Sequence, residues 1–418
     1  MKDTIPNQTT VSITRLRREA AKLSQSIILT PVDNFPDFSD FKDVVGKFHG
    51  LYASDKIRSE PDQKSAVIQF GGRSGLTTEL NRAHAALADA FNCPHASLRL
   101  LSGLHAHIVL FMGLAPIGGK VALLPVEAGG HFATPGILKR LGLNVVTLPV
   151  DRGNKCLDMP ASLDLIARER PDILFVDRSE GLRYEDFSVL GQTDVPIRIF
   201  DSSQYVPQII AGLYQNPFDW GFNLQVLTLH KSFPGPQKAA LVCNDDALWK
   251  DVLAGLSAFV SSSHIENSLL VGLILNDRSK LENYAQRLLS TKESLEGALQ
   301  RNGVNVVPSA SVGASDWPLT QHIWIQHDDQ EGAFSAWKAL EQNRIQTNYR
   351  KLPYALGWGQ RLGVTAAVSC GLMPHDCDTL GSLIAEALGN PKARSVRHQV
   401  TALAKKIVPQ AVFGVRND

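Results

Sequence analysis

The sequence is short of cysteine, of net charge and of long apolar runs, and each shortage closes off a class of function. Five cysteines in 418 residues (Cys93, Cys156, Cys243, Cys370, Cys377) are odd in number and unclustered. A disulfide framework, a zinc knuckle or a dithiol redox motif needs close pairs, so these read as buried free thiols. Lys and Arg total 42 against 41 Asp and Glu, a net charge of +1. That is neither the basic footprint of a nucleic-acid binder nor a polybasic membrane-surface segment. No run reaches the roughly 18 apolar residues of a membrane span; residues 108–116 are apolar but too short. Residues 1–10 are polar and contain no signal-peptide core. The expectation is a cytoplasmic protein that binds neither nucleic acid nor membrane.

What is present is an ordinary globular composition, 44% hydrophobic and 20% charged, enough to bury a core without staples. Residues 11–26 space their apolar positions as a helix does. Residues 27–75, with Pro31, Pro36, Pro61 and the Gly71-Gly72-Arg73-Ser74-Gly75 run, read as a long loop-rich segment, a kind that is usually functional or lies against a partner. Helix and strand signals then alternate. Helical runs at 78–91, 103–114, 134–141 and 161–168 are interleaved with apolar strand runs at 121–125, 145–150, 173–176, 197–200, 226–229 and 239–243. This is the pattern of a doubly wound α/β core with a mostly parallel sheet. Residues 262–301 are helical by period. Strands at 304–307 and 322–326, a helix at 332–342, a buried run at 362–368 and helices at 376–388 and 393–407 make a smaller C-terminal α+β unit. Four segments are expected: 1–75, an N-terminal helix and active-site segment; 76–265, the large α/β domain; 266–302, a connecting helix; and 303–418, the small domain.

Two strand ends can carry chemistry. Phe200-Asp201-Ser202-Ser203-Gln204 and Thr228-Leu229-His230-Lys231-Ser232 are apolar runs that stop in polar residues, and α/β sheets bind ligands at the carboxyl ends of their strands. A lysine there can form a Schiff base with a carbonyl cofactor, and an acid can hold a pyridine nitrogen protonated. Spacing alone is met as well by a solvated lysine and a helix-capping aspartate. Ser102 and Gly103 open a helical run, where free N–H groups favour a phosphate, or where Ser102 is simply an N-cap. No metal site is expected: His105 and His107 are two apart on a helix and diverge, and His375 and Cys377 lie at a helix start.

Thr228-Leu229-His230-Lys231-Ser232-Phe233-Pro234-Gly235-Pro236-Gln237 resembles the cofactor-lysine segment of serine hydroxymethyltransferases, pyridoxal 5'-phosphate (PLP) enzymes of the aspartate-aminotransferase fold, fold type I. Four other segments resemble theirs in the same order. Val32-Asp33-Asn34-Phe35 matches Ser-Glu-Asn-Phe, and Leu101-Ser102-Gly103-Leu104-His105-Ala106-His107 matches His-Ser-Gly-Ser-Gln-Ala-Asn. Ala128-Gly129-Gly130-His131-Phe132 matches Gly-Gly-His, and Gln360-Arg361-Leu362-Gly363-Val364 matches a Leu-Arg-Ile-Gly strand. The resemblance implies a fold type I large domain with a small C-terminal domain, PLP as cofactor and a homodimer. It makes Lys231 the Schiff-base lysine, Asp201 the partner of the ring nitrogen and His131 the residue stacked on the ring. Ser102, Gly103, His105, Ser179, Gln204, Thr228 and His230 would complete the cofactor site, Arg361 and Asp33 would bind substrate, and Ser262, Ser263 and His264 would reach a second subunit's site.

The departures refine the expectation. Lys47-Phe48-His49-Gly50 stands where the family has a proton-moving Tyr-x-Glu pair. The glutamate is missing, and His49 is the candidate replacement because an imidazole titrates near neutrality; Tyr52 and Asp55 are alternatives. Gln204 replaces a histidine, Leu104 a phosphate-binding serine, and Ser261-Ser262-Ser263-His264-Ile265-Glu266-Asn267 a glycine-rich segment. These losses point away from one-carbon transfer to tetrahydrofolate and towards L-threonine transaldolases, whose Gly-Gly-His-Phe, His-Lys-x-x-Pro-Gly-Pro-Gln and Ser-rich His-x-Glu segments this chain resembles. The expected reaction is aldol-type cleavage or formation of a bond at Cα of an α-amino acid, with an aldehyde as possible co-substrate. The alternatives are another PLP reaction (transamination, decarboxylation, racemisation) on the same fold, or a catalytically silent scaffold subunit.

Overall fold

Seven strands build the central sheet: β1 (His95–Leu100), β2 (Lys120–Leu123), β3 (Asn144–Thr147), β4 (Ile173–Val176), β5 (Ile197–Asp201), β6 (Leu224–Thr228) and β7 (Ala239–Cys243). The structure is a computed structural model and describes residues 11–390 and 394–407, so the expectation for residues 1–10 lies outside the described residues. The strand order is β1-β7-β6-β5-β4-β2-β3. Only β7 runs against its neighbours, so the other six strands end along one edge.

The apolar runs of β4, β6 and β7 follow from burial on both faces. Leu174 and Val176 of β4 enter one cluster of buried side chains with Phe200 and Leu227. Ile173 and Phe175 enter the opposite one with Ile199 and Val226. A third cluster surrounds the antiparallel sheet of β8 (His322–His327), β9 (Asn348–Lys351) and β10 (Trp358–Gly363), in the order β8-β10-β9. It draws in Ile27 and Leu29 from the N-terminal segment, where Ile27 and Ile28 pair in parallel with Ile345 and Gln346. Among the described residues no helix is long and apolar enough to cross a membrane.

Several local expectations are corrected. The helical run 262–301 is two helices, Ile265–Leu275 and Arg278–Arg301, because Asp277 turns out of the first and caps the second by accepting from the Lys280 N–H at 3.0 Å. The strand expected at 145–150 ends at Thr147, just before Pro149, which has no N–H to give a ladder. The strand expected at 304–307 is a single bridge, Val306 to Ile325. The run at 362–368 leaves β10 at Gly363 and becomes the helix Thr365–Cys370.

One backbone position fixes the edge where the six strands end. Gly129 has φ +87°, and a β-carbon there would collide with the Glu180 carbonyl in the loop after β4. Positive φ and close approach both demand glycine. Gly129→Ala should therefore cost on the order of 2–3 kcal/mol of stability, read as a lower denaturation midpoint; a variant that unfolds with the wild type would contradict the packing described.

Candidate active site

Asp201 ends β5. Burial alone would raise its carboxyl, but the bond from His107, the nearby Lys231 ammonium and the Ser203 contact outweigh it and hold the group at about 2. His107 Nε2 donates to Oδ2 at 2.8 Å, and the Ser203 backbone N–H donates to Oδ1 at 2.8 Å. The result is a carboxylate that stays charged while buried. His107 comes from the helix Gly103–Leu114 and is itself buried. Its ring meets Phe175 and His131 edge-on, at centroid distances of 4.8 Å and 5.7 Å. Its Nδ1 lies 3.4 Å from Thr134 Oγ1, which donates to Asp177 Oδ2 at 2.8 Å. Burial pushes the Asp177 carboxyl, just beyond β4, well above the usual carboxylate range.

Lys231 follows the end of β6 by three residues. Burial lowers its pKa, against the pull of Asp201, which favours a larger share of free amine. The loop is clamped from three parts of the chain. Asn34 Nδ2 donates to the carbonyls of Lys231 (2.7 Å) and Phe233 (2.9 Å). The Tyr284 hydroxyl donates to the Ser232 carbonyl at 3.1 Å. Ser369 Oγ donates to Asn34 Oδ1 at 2.6 Å.

His131 enters just after the Gly129 turn, and burial, with the charges of His107 and Lys231, lowers it to about 4. Its Nδ1 accepts from the Ala133 N–H at 3.3 Å, which leaves Nε2 as the protonated nitrogen of the neutral ring. Arg361, on β10, is buried and lies 3.6 Å from Glu180, while its Nη1 donates to the Ser179 carbonyl at 3.5 Å. Ser102 caps the helix Gly103–Leu114 by accepting from the His105 N–H at 3.3 Å, and His105 Nδ1 accepts from the Leu101 N–H at 3.1 Å. Gly103 sits so close to Thr228 Oγ1 that a β-carbon would collide with it, and that hydroxyl accepts from Ser203 Oγ at 2.8 Å.

PLP requires a phosphate cradle, an amine and a charged acid within one small volume. The bare Gly103 turn, Lys231 and Asp201 provide these types, and two buried atoms here, Arg361 Nε and Asp177 Oδ1, have no hydrogen-bond partner among the described residues. The donor set fits the cofactor.

The remaining expected residues are less tightly gathered. Gln204 is buried, with its backbone and side-chain oxygens both accepting from Gln321 Nε2. His230 Nδ1 accepts from the Lys238 N–H at 3.1 Å. Asp33 is half-buried, and burial raises its carboxyl. His49 is exposed, its ring 6.3 Å from that of His264. Among the described residues no hydrogen bond or ion pair ties His49, Ser262 or His264 to the Lys231 group, while the Ser263 carbonyl accepts from Lys238 Nζ. The sequence does not single out several contributors, among them Thr134, Asp177, Tyr284 and Ser369, and two others lie beside residues it does single out. His107 stands two residues after His105, directly before the apolar run Ile108-Val109-Leu110-Phe111, and Asn34 lies between Asp33 and Phe35. Burial pushes the five thiols up to about 11 or 12, so they stay protonated and inert.

No protein-family model matches the chain. A solved L-threonine transaldolase from Pseudomonas fluorescens, in its internal aldimine state, matches with a TM-score of 0.84 at 19% identity, over 94% of this chain and 90% of that one. An L-threonine:uridine-5'-aldehyde transaldolase from a Streptomyces species is 28% identical over 324 residues, 75% of each chain. The serine hydroxymethyltransferase of Pyrobaculum calidifontis is 25% identical over 384 residues, 86% of this chain and 88% of its own. The chain is thus similar in sequence to transaldolases and serine hydroxymethyltransferases, and it has the fold of the solved transaldolase, the type I fold. In this chain the site holds His107 against the buried carboxylate and Gln204 against Gln321.

Burial holds the imidazoles of His84 and His131 near 4 and that of His322 near 3. Each binds a proton less readily folded than unfolded, so the stability they contribute is fully present above pH ~6.5 and is lost as pH falls towards 4. Melting temperature should fall through that window, and less steeply for His131→Asn; parallel profiles for wild type and variant would contradict the assignment.

Proposed function

We propose that this chain is a PLP-dependent enzyme that breaks and forms a carbon–carbon bond at Cα of a β-hydroxy-α-amino acid, passing the amino-acid fragment to an aldehyde. We further propose that it works as a homodimer in the cytoplasm. The observation that supports this best is the buried Lys231 amine facing a carboxylate, Asp201, that His107 keeps charged. In this reading residues 76–265 hold the cofactor, 303–418 bring Arg361 to the substrate, and 1–75 with 266–302 join the two.

Bound there, PLP would supply an electron sink for the charge left at Cα when a substituent departs. The protein's own groups do the rest. Asp201 would hold a proton on the ring nitrogen, because a buried charged acid is stabilised by a cation beside it. Lys231, its pKa lowered by burial, would be the amine that attaches and is displaced. His131, neutral and carrying its proton on Nε2, would lie flat against the ring and donate a hydrogen bond. Arg361 would take the substrate carboxylate through its fork, including the unpartnered Nε, a geometry lysine cannot reproduce. Ser102, Gly103, His105, Ser179, Gln204, Thr228 and His230 would surround the cofactor, and Asp33 would face the substrate. Ser262, Ser263 and His264 would contribute side chains to a second subunit's site, and His49 would move the proton that the family's glutamate moves.

With L-threonine, PLP and an aromatic aldehyde, the wild type should release acetaldehyde, and Lys231→Ala should reduce release to background. Arg361→Lys should raise KM for threonine about 10- to 100-fold. Absence of both acetaldehyde and a PLP absorbance band in the wild type would favour the silent-scaffold alternative.

A further inference from the structure

Among the described residues, Lys238 is the buried lysine at the strand edge that the proposed reaction leaves unused. It lies one residue beyond the segment that resembles the family's lysine loop, and it is fully buried. Its Nζ donates to the Ser263 carbonyl. An ammonium has three protons to donate, and no carboxylate forms an ion pair with this one among the described residues. Burial without a counter-charge lowers its pKa to about 7. A buried, uncompensated cation of this kind is costly and is retained where a charge arrives from outside the chain.

The register shows where that charge would come. Ala239, the first residue of β7, pairs on one side with Thr228 and on the other with Leu100. Lys238 therefore sits between Leu229, whose N–H donates to the Lys238 carbonyl at 2.9 Å, and the Leu101-Ser102-Gly103 turn. His105, in the first turn of the helix, has its pKa lowered by burial and then by the Lys238 ammonium, so the two side chains share one neighbourhood. The helix end offers about half a unit of positive charge, whereas a phosphate monoester near neutrality carries about 1.5 to 2 negative charges.

We propose that Lys238 is a cofactor-binding residue of this chain, supplying the full positive charge that balances the PLP phosphate at the start of the helix Gly103–Leu114. This rests on the PLP reading above. It also gives the Ser263 carbonyl a purpose, since it holds the side chain in place before the phosphate enters.

The test is titration of the apoprotein with PLP and with pyridoxal, which lacks the phosphate, followed by visible absorbance and by thermal shift. Lys238→Met should weaken PLP about 10- to 100-fold, leave pyridoxal within about twofold, and keep or raise the apoprotein's melting temperature, because an uncompensated buried charge has been removed. Lys238→Arg should recover most of the PLP affinity, and inorganic phosphate should protect the wild-type apoprotein against heat more than the Met variant. Equal weakening of both ligands, or no weakening of either, overturns the assignment. A wild type that binds neither ligand overturns the PLP reading itself.

Discussion

A carboxylate kept charged in a dry place is the constraint on which the rest of this structure depends. Asp201 can be buried at the end of β5 only because His107 reaches it from a different element, the helix that follows β1. That bond requires the helix to lie across the end of the sheet, and the contact of Gly103 with Thr228 allows it to come that close. The same arrangement places the first turn of the helix beside the strand end that leads to Lys231. One ion-supporting hydrogen bond thus sets the spacing between an acid, an amine and an anion cradle.

The lysine loop shows how distant parts of the chain are made to cooperate. Asn34 belongs to the N-terminal segment, Tyr284 to the long helix Arg278–Arg301 and Ser369 to the helix after β10, yet all meet around the carbonyls of residues 231–233. The loop after β4 does the equivalent for Arg361, through Ser179 and Glu180. The carbonyls of Lys231, Ser232 and Phe233 are each satisfied by a side chain from another segment. Such shared hydrogen bonds tie the loop that carries Lys231 to the N-terminal segment and to two helices.

Much of this was legible in the sequence wherever burial leaves a continuous apolar run. β4, β5, β6 and β7 lie close to the runs read for them, since strands covered on both faces have no alternation to hide them. β1 was missed because it sits at the sheet's edge and mixes His95, Ser97 and Arg99 among its apolar residues. The helix Asp246–Phe259 was also missed, although Asp245 caps it through the Leu248 N–H at 2.9 Å. In the site, Lys231 and Asp201 stood out because strand ends are where polar residues interrupt apolar ones. His107 did not, since its partner is 94 residues away. A pairing over that distance leaves no periodic trace.

We propose Lys231, among all the lysines of this chain, as the amine that would attach a carbonyl cofactor. Incubating the protein with PLP, reducing with borohydride and mapping the modified peptides by mass spectrometry tests it directly. One stoichiometric label on Lys231 is expected, lost in Lys231→Ala and suppressed by prior addition of an amino-acid substrate. A label on Lys238, or one scattered over exposed lysines with Lys231 unmodified, would contradict it.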